Sequence, residues 1–151
     1  MTATGIHLVD AGVNLIGPVR RVQALLMPRQ PPPEVLDTVS VLCEFENRVT
    51  GVLCGVRATP YYWRVHVFGT RGSAEALGPN ELVLRMTGAK PQHQSFETVD
   101  TLRSELDAFA DAAAGRSQYP IPPAQIVDTV AAFEAIINSM ATNAPALVGK
   151  E

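Results

Sequence analysis

Apolar and polar residues alternate most clearly in two segments that flank Asn47-Arg48. A period of two is typical of β-strands with one buried face, and the short separation between the segments predicts a β-hairpin. A two-residue turn at Asn47-Arg48 would pair Cys43 with Val52, so the apolar residues of both strands would share one face. That predicted core face carries Val39, Val41, Cys43, Phe45, Val52, Cys54 and Val56.

The other elements follow from similar patterns. Runs of β-branched and aromatic residues predict strands, whereas apolar residues that recur every three to four positions predict helices. Gly17-Pro18 should end the first helix, Gly115 should end the second, and Pro122-Pro123 should begin the last. The predicted strands are 19–26, 61–68, 73–77, 81–86 and 94–99. The predicted helices are 5–16, 102–113 and 122–140, and the proline-rich run 29–33 is a predicted extended loop.

The order of these elements is one helix, a run of strands and then two helices. It predicts an α+β fold, a mostly antiparallel open sheet of about six or seven strands with helices packed on one face. Strands and helices do not alternate as βαβ units, so we expect no Rossmann domain in the sequence. The 151 residues are expected to form a single α+β domain over residues 1–151.

The second face of the predicted hairpin is small and apolar, and no predicted element is left to cover it. An uncovered sheet of several strands would expose more apolar surface than a monomer usually tolerates. We therefore expect a homodimer through this open sheet face, with plain solvent exposure as the alternative. The predicted interface face carries Ser40, Leu42, Gly51, Leu53 and Gly55.

Composition and charge narrow the function classes. The apolar fraction of 46% and the charged fraction of 18% are typical of soluble globular proteins. A net charge of -3 without a run of Lys or Arg argues against nucleic-acid binding, and no apolar run is long enough to span a membrane. The N-terminus lacks a signal-peptide pattern. Cys43 and Cys54 fit no metal motif, so we expect reduced core cysteines in a cytoplasmic protein.

The candidate chemistry lies in the first predicted helix. His7, Asp10 and Asn14 recur at i, i+3 and i+7, so they form one polar stripe beside an apolar face. A histidine suits proton transfer near neutral pH, and a carboxylate one turn away could orient it. We treat His7 as the candidate catalytic residue and Asp10 and Asn14 as candidate substrate-binding residues. A solvated helix face with one histidine on it is the alternative.

Other polar motifs predict structure rather than chemistry. Gly69-Thr-Arg-Gly72 could be a phosphate loop, but strand-like residues follow it and no Lys-Ser/Thr pair does, so a plain turn is expected. His66 alternates with valines and should lie on a sheet face, while His93 should lie on the surface. Three histidines and scattered carboxylates make no convincing metal set, and we predict no metal site.

Gly5-x-His7-x-x-Asp10 at the start of a helix resembles the beginning of the C-terminal domain of the Gfo/Idh/MocA oxidoreductases, the relatives of glucose–fructose oxidoreductase and inositol dehydrogenase. Many members of that family carry an Asp four residues before the histidine, where this chain has Ala3. Further similar landmarks, in the family's order, are Gly17-Pro18-Val19, Glu44-Phe45-Glu46-Asn47, the Gly-Thr-x-Gly turn in 67–73, and the helical segments 106–115 and 132–139.

This resemblance implies the substrate-binding and oligomerisation domain of an NAD(P)-dependent oxidoreductase that acts on a sugar- or polyol-type substrate. It implies that His7 removes the proton from the substrate hydroxyl. In the family, a Rossmann domain binds NAD or NADP and supplies a lysine in a Glu-Lys-Pro motif. The sequence carries neither that motif nor a dinucleotide fingerprint, so we expect the isolated chain to bind no cofactor and to be inactive alone.

Two functions from different classes remain open. Paired with a Rossmann-domain partner, the chain would help to oxidise or reduce a small polyhydroxylated substrate. The alternative is a non-catalytic module that kept the fold and forms dimers or binds a small ligand. Ala3 and the missing nucleotide-binding half favour the module, whereas His7 and Asp10 favour the enzyme.

Overall fold

The computed structural model describes residues 5–27, 38–57 and 59–149. The helices are α1 (Gly5–Ile16), α2 (Thr101–Ala113) and α3 (Pro123–Thr142). The strands are β1 (Val19–Met27), β2 (Thr38–Phe45), β3 (Thr50–Val56), β4 (Arg64–Gly69), β5 (Gly72–Leu77), β6 (Glu81–Met86), β7 (Gln92–Ser95) and β8 (Ala146–Leu147). The proline-rich run 29–33 and Ala3 lie outside the described residues.

The predicted α+β fold with open antiparallel sheets is confirmed, since every strand pairing in the described residues is antiparallel. The strands are divided between two four-stranded sheets rather than joined in one sheet. The chain correspondingly forms two compact units, a first unit of residues 1–58 and 121–151 and a second unit of residues 59–120. None of the helices in the described part of the chain is long and apolar enough to cross a membrane.

The first unit consists of the sheet β3-β2-β1-β8 with α1 and α3 packed on one face. Alternate residues of β1 and β2 point towards these helices, and the rows Val22–Cys43 and Ala24–Val41 are almost fully buried. Ile136 of α3 has no exposed surface in this cluster. The core therefore joins residues from both ends of the sequence, because α1 precedes β1 and α3 lies about 100 residues further along.

The β2–β3 hairpin has a different register from the predicted one. Arg48 adopts a positive φ of 70°, and the amide of Phe45 donates to the Val49 carbonyl at 2.9 Å, so the loop contains three residues instead of two. Cys43 consequently lies opposite Gly51, not Val52. The predicted turn was wrong by one residue because Arg48 takes the left-handed conformation without the glycine that usually signals it.

This one-residue shift exchanges the two faces of β3. Leu53 packs against the core beside Val41, whereas Val52 lies opposite Leu42 on the other face and is 73% exposed. Cys54 is exposed as well, while Cys43 is buried, and both thiols are free. The predicted assignments of Val52, Cys54 and Val56 to the core, and of Gly51, Leu53 and Gly55 to the open face, were therefore wrong.

Gly51 has a packing reason for its small size. A Cβ atom at this position would lie 3.2 Å from Cε2 of Phe45, and one at Gly12 in α1 would lie 3.6 Å from the tip of the same ring. The Phe45 ring, which is 4% exposed, thus fills the space left by these two glycines. The close approach helps to place α1 over the β2–β3 end of the sheet.

The second unit contains the sheet β4-β5-β6-β7 and α2. β4 begins at Arg64, three residues later than predicted, and β7 is the short segment Gln92–Ser95 instead of 94–99. β7 ends at Ser95. The amide of Phe96 donates to the Asn80 carbonyl, and the Asn80 side chain donates to the Phe96 carbonyl. Gly69–Gly72 is the plain turn that was predicted.

Gly72 explains why that turn carries a second glycine. Its φ is 156°, and a Cβ atom there would collide with the carbonyl oxygen of Arg85 on the neighbouring strand.

In α2, the Asp100 carboxylate caps the start of the helix by accepting from the Arg103 amide at 3.0 Å, and Gly115, with φ 71°, follows the end of the helix. Gly72 is therefore needed for close strand packing, and Gly115 for the left-handed backbone after α2.

One buried side chain links α3 to the sheet of the first unit. β8 pairs only with Arg21 and Val22 of β1, so the edge of β1 continues beyond it. The Ala24 amide donates to Ser139 Oγ at 2.9 Å, and the Ser139 hydroxyl donates to the Ala144 carbonyl at 2.6 Å. Ser139 has no exposed surface, and its hydroxyl gives the buried Ala24 amide an acceptor and the Ala144 carbonyl a donor.

Replacing Ser139 with alanine should destabilise the protein by about 1–3 kcal/mol, because a buried amide and a carbonyl both lose a partner. Chemical denaturation followed by circular dichroism would measure the change in the free energy of unfolding. Ser117→Ala, which removes an exposed hydroxyl, should leave the midpoint unchanged. Equal stability of Ser139→Ala and wild type would contradict this role.

Candidate functional site

Helix α1 carries the predicted polar stripe. Val9 and Val13 face the core and are 1% and 5% exposed, so the polar residues of the stripe lie away from the core side of the helix. His7 and Asn14 are exposed, whereas Asp10 is partly buried. The helix ends where Gly17, with φ 117°, donates its amide to the Val13 carbonyl and Pro18 follows.

Asp10 is held by α3. Its Oδ1 accepts hydrogen bonds from Gln125 Nε2 at 3.2 Å and from Thr129 Oγ1 at 3.1 Å. Thr129 is 5% exposed, so the carboxylate satisfies a hydroxyl that would otherwise be buried without a partner. Asp10 thus joins the first helix to the last one.

The structure separates the three residues of the stripe into two groups. Among the described residues no hydrogen bond joins His7 to Asp10, and the carboxylate faces Gln125 and Thr129. The exposed imidazole of His7 retains access to solvent or to a ligand, and so does the amide of Asn14. The site can therefore offer a histidine for proton transfer beside a carboxylate whose position α3 fixes.

Sequence reasoning missed Gln125 and Thr129. They lie four positions apart on α3, a spacing that puts two residues on one helix face. Two polar residues on one face of a helix with a buried apolar stripe indicate a polar contact with a neighbouring element. The contact with Asp10 could not be inferred, because about 115 residues separate the two helices in sequence.

A groove runs along the outer face of α3 in the first unit. Its volume is about 580 Å³, and Glu134 and Asn138 are the acidic and amide side chains along it. The remaining lining side chains are mainly apolar and include Ile126, Val127, Val130 and Leu147, which are each between 46% and 71% exposed. Polar and apolar atoms line the groove in nearly equal measure, so it could take a surface or ligand of mixed polarity.

A second cluster of charged side chains lies on one face of the second unit's sheet. Glu75 of β5 is 6% exposed, and His66 lies directly opposite it on β4. Arg85 Nη1 binds Glu75 Oε2 at 2.6 Å, and Arg64 Nη1 lies 3.3 Å from Oε1. The hydrogen bond from Arg85, together with the charges of Arg85, His66 and Arg64, lowers the pKa of the Glu75 carboxyl against the effect of burial.

His66 was predicted on a sheet face, and the structure places it there. Its Nδ1 lies 4.0 Å from Glu75 Oε1, and its ring stacks on Phe68 with 4.0 Å between centroids. The buried Nε2 atom has no hydrogen-bond partner in the described part of the chain. Sequence reasoning did not link His66 to Glu75, Arg64 and Arg85, although strand pairing could have brought them together.

Neither Cys43 nor a metal-binding cluster provides a candidate site in the described residues. Burial raises the pKa of the Cys43 thiol to about 11, which keeps it protonated and unreactive at neutral pH. No group of three or more His, Cys, Asp or Glu side chains in the described ranges could hold a metal ion. His7 with its neighbours on α1 and α3 therefore remains the candidate site of the first unit.

Comparison with solved structures shows that the fold occurs in oxidoreductases. A protein from Desulfitobacterium hafniense assigned as an NADPH-dependent oxidoreductase matches 95% of this chain and 46% of its own length, with 23% identity and a TM-score of 0.82. The UDP-N-acetylglucosamine 3-dehydrogenase of Acidithiobacillus ferrooxidans matches 91% of this chain and 46% of its own, with 17% identity and a TM-score of 0.79.

A third structure has a different kind of ligand. Biliverdin reductase from Synechocystis, in complex with biliverdin and NADP+, matches 90% of this chain and 45% of its own, with 15% identity and a TM-score of 0.75. The chain therefore spans slightly less than half the length of these three proteins. At these identities the likeness shows the fold and leaves the substrate open.

The sequence itself has a narrower match. No curated protein matches the chain, but a family model described as the GFO/IDH/MocA C-terminal domain matches residues 1–75. That stretch contains α1 with His7, the sheet strands β1 to β3 and the beginning of the second unit. The chain is a C-terminal domain of the GFO/IDH/MocA family.

Proposed function

We propose that this chain is the substrate-binding and oligomerisation domain of an NAD(P)-dependent oxidoreductase that acts on a sugar- or polyol-type substrate. The observation that carries the proposal is the exposed His7 on the first helix of a domain whose family and fold are those of oxidoreductases. The sugar dehydrogenase among the similar structures supports the substrate class. The biliverdin reductase among the similar structures makes a biliverdin-like substrate the main alternative to a sugar or polyol.

The described residues do not fit the cofactor themselves. They contain no Gly-rich turn between a strand and a helix, the arrangement that binds a dinucleotide pyrophosphate. NAD or NADP would therefore be held by a nucleotide-binding domain beyond these residues. The contribution of this chain is confined to the substrate and to its proton.

His7 would act at the substrate hydroxyl. Oxidation of an alcohol removes a hydride from carbon and a proton from oxygen, and the imidazole of His7 would accept that proton; in the reverse direction it would return it. Asp10, fixed by Gln125 and Thr129, would place a carboxylate one helical turn from the imidazole, where it could contact a substrate hydroxyl. Asn14 would contact a further hydroxyl.

One observation favours the alternative of a non-catalytic module that kept the fold. The Asp10 oxygen that accepts both hydrogen bonds serves the packing of α1 on α3, a role that needs no substrate. A module of this kind would also use the groove along α3 for a ligand. The two functions make different predictions for His7: its replacement should slow the reaction of an enzyme, whereas a non-catalytic module has no reaction to slow.

The oligomer is proposed to form through the open face of the first unit's sheet. Leu42 and Val52 lie opposite each other on this face and are 53% and 73% exposed, and Leu25 and Met27 of β1 extend the apolar surface. Their partner would be a second copy of the chain. Burial of these side chains would stabilise the dimer, although association entropy offsets part of that gain.

The border of the same face supports a self-complementary contact. Arg20 and Arg21 bind Glu44 at 3.1 and 3.2 Å, so charges of both signs lie together beside the apolar surface. Two copies related by a two-fold axis present the same surface to each other, which allows opposite charges to meet at the rim. A partner of one charge sign would not be matched in this way.

In an enzyme that joins this domain to its nucleotide-binding domain, His7→Ala should lower kcat by about 10²–10⁴-fold, because the general base is removed. Steady-state kinetics with candidate sugars and polyols would measure the change. His93→Ala, which removes another exposed histidine, should leave kcat unchanged. An unaltered kcat for His7→Ala would exclude the catalytic role and favour the non-catalytic module.

The dimer is tested by two neighbouring substitutions on opposite faces of β3. Val52→Asp places a charge on the open face, opposite Leu42, so it should convert a dimer into a folded monomer in multi-angle light scattering. Leu53→Asp places the charge towards the core and should instead destabilise the fold by more than about 2 kcal/mol. A wild-type monomer at micromolar concentration, or a Val52→Asp dimer, would contradict the proposal.

A further inference from the structure

The sheet of the second unit is more basic than the chain as a whole. Residues 64–95 contain Arg64, Arg71, Arg85 and Lys90 but only the acidic residues Glu75 and Glu81, which gives a net charge of +2 in a chain of net charge -3. The turns that carry Arg71 and Lys90 lie at one end of the sheet, where the Thr87 amide donates to the Arg71 carbonyl. This end therefore has an excess of positive charge.

The centre of this sheet face carries two guanidinium groups on one carboxylate. Arg64 approaches Glu75 from β4 and Arg85 approaches from β6, so each engages a different carboxylate oxygen. One carboxylate neutralises only one of the two positive charges. Glu81 lies two strands away from Arg64, in the row Arg64–Leu77–Glu81, and the described residues show no ion pair between Glu81 and either arginine.

The two arginines keep donors available for a ligand. Their side chains are 48% and 45% exposed, while the carboxylate between them is 8% exposed. Each guanidinium carries five N–H donors in a planar fork, and Arg85 donates one hydrogen bond to Glu75, from Nη1 to Oε2. Glu75 thus orders both groups, and about half of each arginine side chain stays accessible to a ligand.

We infer that this face binds a small oxyanion, a phosphate or carboxylate group, between the Arg64 and Arg85 guanidinium groups. Such groups accept paired hydrogen bonds from the arginine fork. The cluster lies wholly within the second unit, and the inference is independent of the function proposed for His7.

His66 provides a second observation on the same face. Its buried Nε2 atom has no partner, and an unpaired buried polar atom costs free energy. Phe68, whose ring lies against the imidazole, is 75% exposed. In the tautomer that carries its proton on Nε2, His66 would donate to an oxyanion bound on this face, and the buried nitrogen would gain a partner.

Isothermal titration calorimetry of the chain with inorganic phosphate, and separately with malonate, tests this site at constant ionic strength. We expect a dissociation constant of about 1 mM for the preferred anion. Tighter binding of phosphate or of malonate identifies which oxyanion the site prefers. In parallel, the imidazole signals of His66 should move in NMR spectra while those of His7 stay in place.

Variants of the cluster should change this affinity in opposite directions. Arg64→Gln should weaken binding about tenfold through loss of a charged donor. Glu75→Gln should tighten it, because the amide oxygen can still accept from Arg85 while the competing negative charge is lost. The control Arg103→Gln removes a positive charge from an exposed pair with Asp107 on α2 and should have no effect.

Two results would overturn the assignment. One is the absence of both heat and a His66 shift at concentrations of either anion of about ten times the expected dissociation constant. The other is an equal loss of affinity in Arg103→Gln and Arg64→Gln, since this would show that only the net charge of the chain attracts the anion. If Glu75→Gln does not fold, the comparison of these two arginine variants decides alone.

Discussion

The first unit depends on the burial of the β1–β2 pair beneath α3. Val22, Ala24, Val41 and Cys43 form two adjacent rows of almost inaccessible side chains, and Ile136 covers them. Because this contact joins residues near the start of the chain with residues near its end, α1 and α3 are brought side by side. The position of His7 on the surface of the domain follows from that arrangement.

Asp10 shows how a residue can belong to the scaffold and to the candidate site together. Its carboxylate satisfies Thr129, which is buried, and Gln125, and thereby fixes the contact between α1 and α3. An enzyme gains from such a contact, since a charge that is held by packing needs no rearrangement when a proton moves. A binding module would gain only the stability of the helix pair.

The second unit uses charge where the first uses apolar packing. Glu75 is nearly inaccessible, yet Arg85 and Arg64 engage both of its oxygens, so its burial does not leave an unpaired charge. The same three side chains tie β4 to β5 and β5 to β6 on one face. A carboxylate that orders two arginines also prepares them to meet an anion.

Local patterns in the sequence determined the class of the fold, the helices and the candidate histidine. Helix ends at Gly17 and Gly115, the strand over 81–86 and the exposure of His7 all depend on neighbouring residues, and the pattern around them is sufficient. The family resemblance was also readable from short motifs, and the model of the family's C-terminal domain matches the stretch that contains most of them.

Tertiary structure decided what depends on distant or unusual contacts. Arg48 in the left-handed conformation shifted the β3 register, and a shift of one residue exchanges every side chain between core and surface. β8 is two residues long and forms only because β1 offers an edge to it. The partners of Asp10 and Glu75 come from other elements, so only the folded chain determines which charges are held and which remain free.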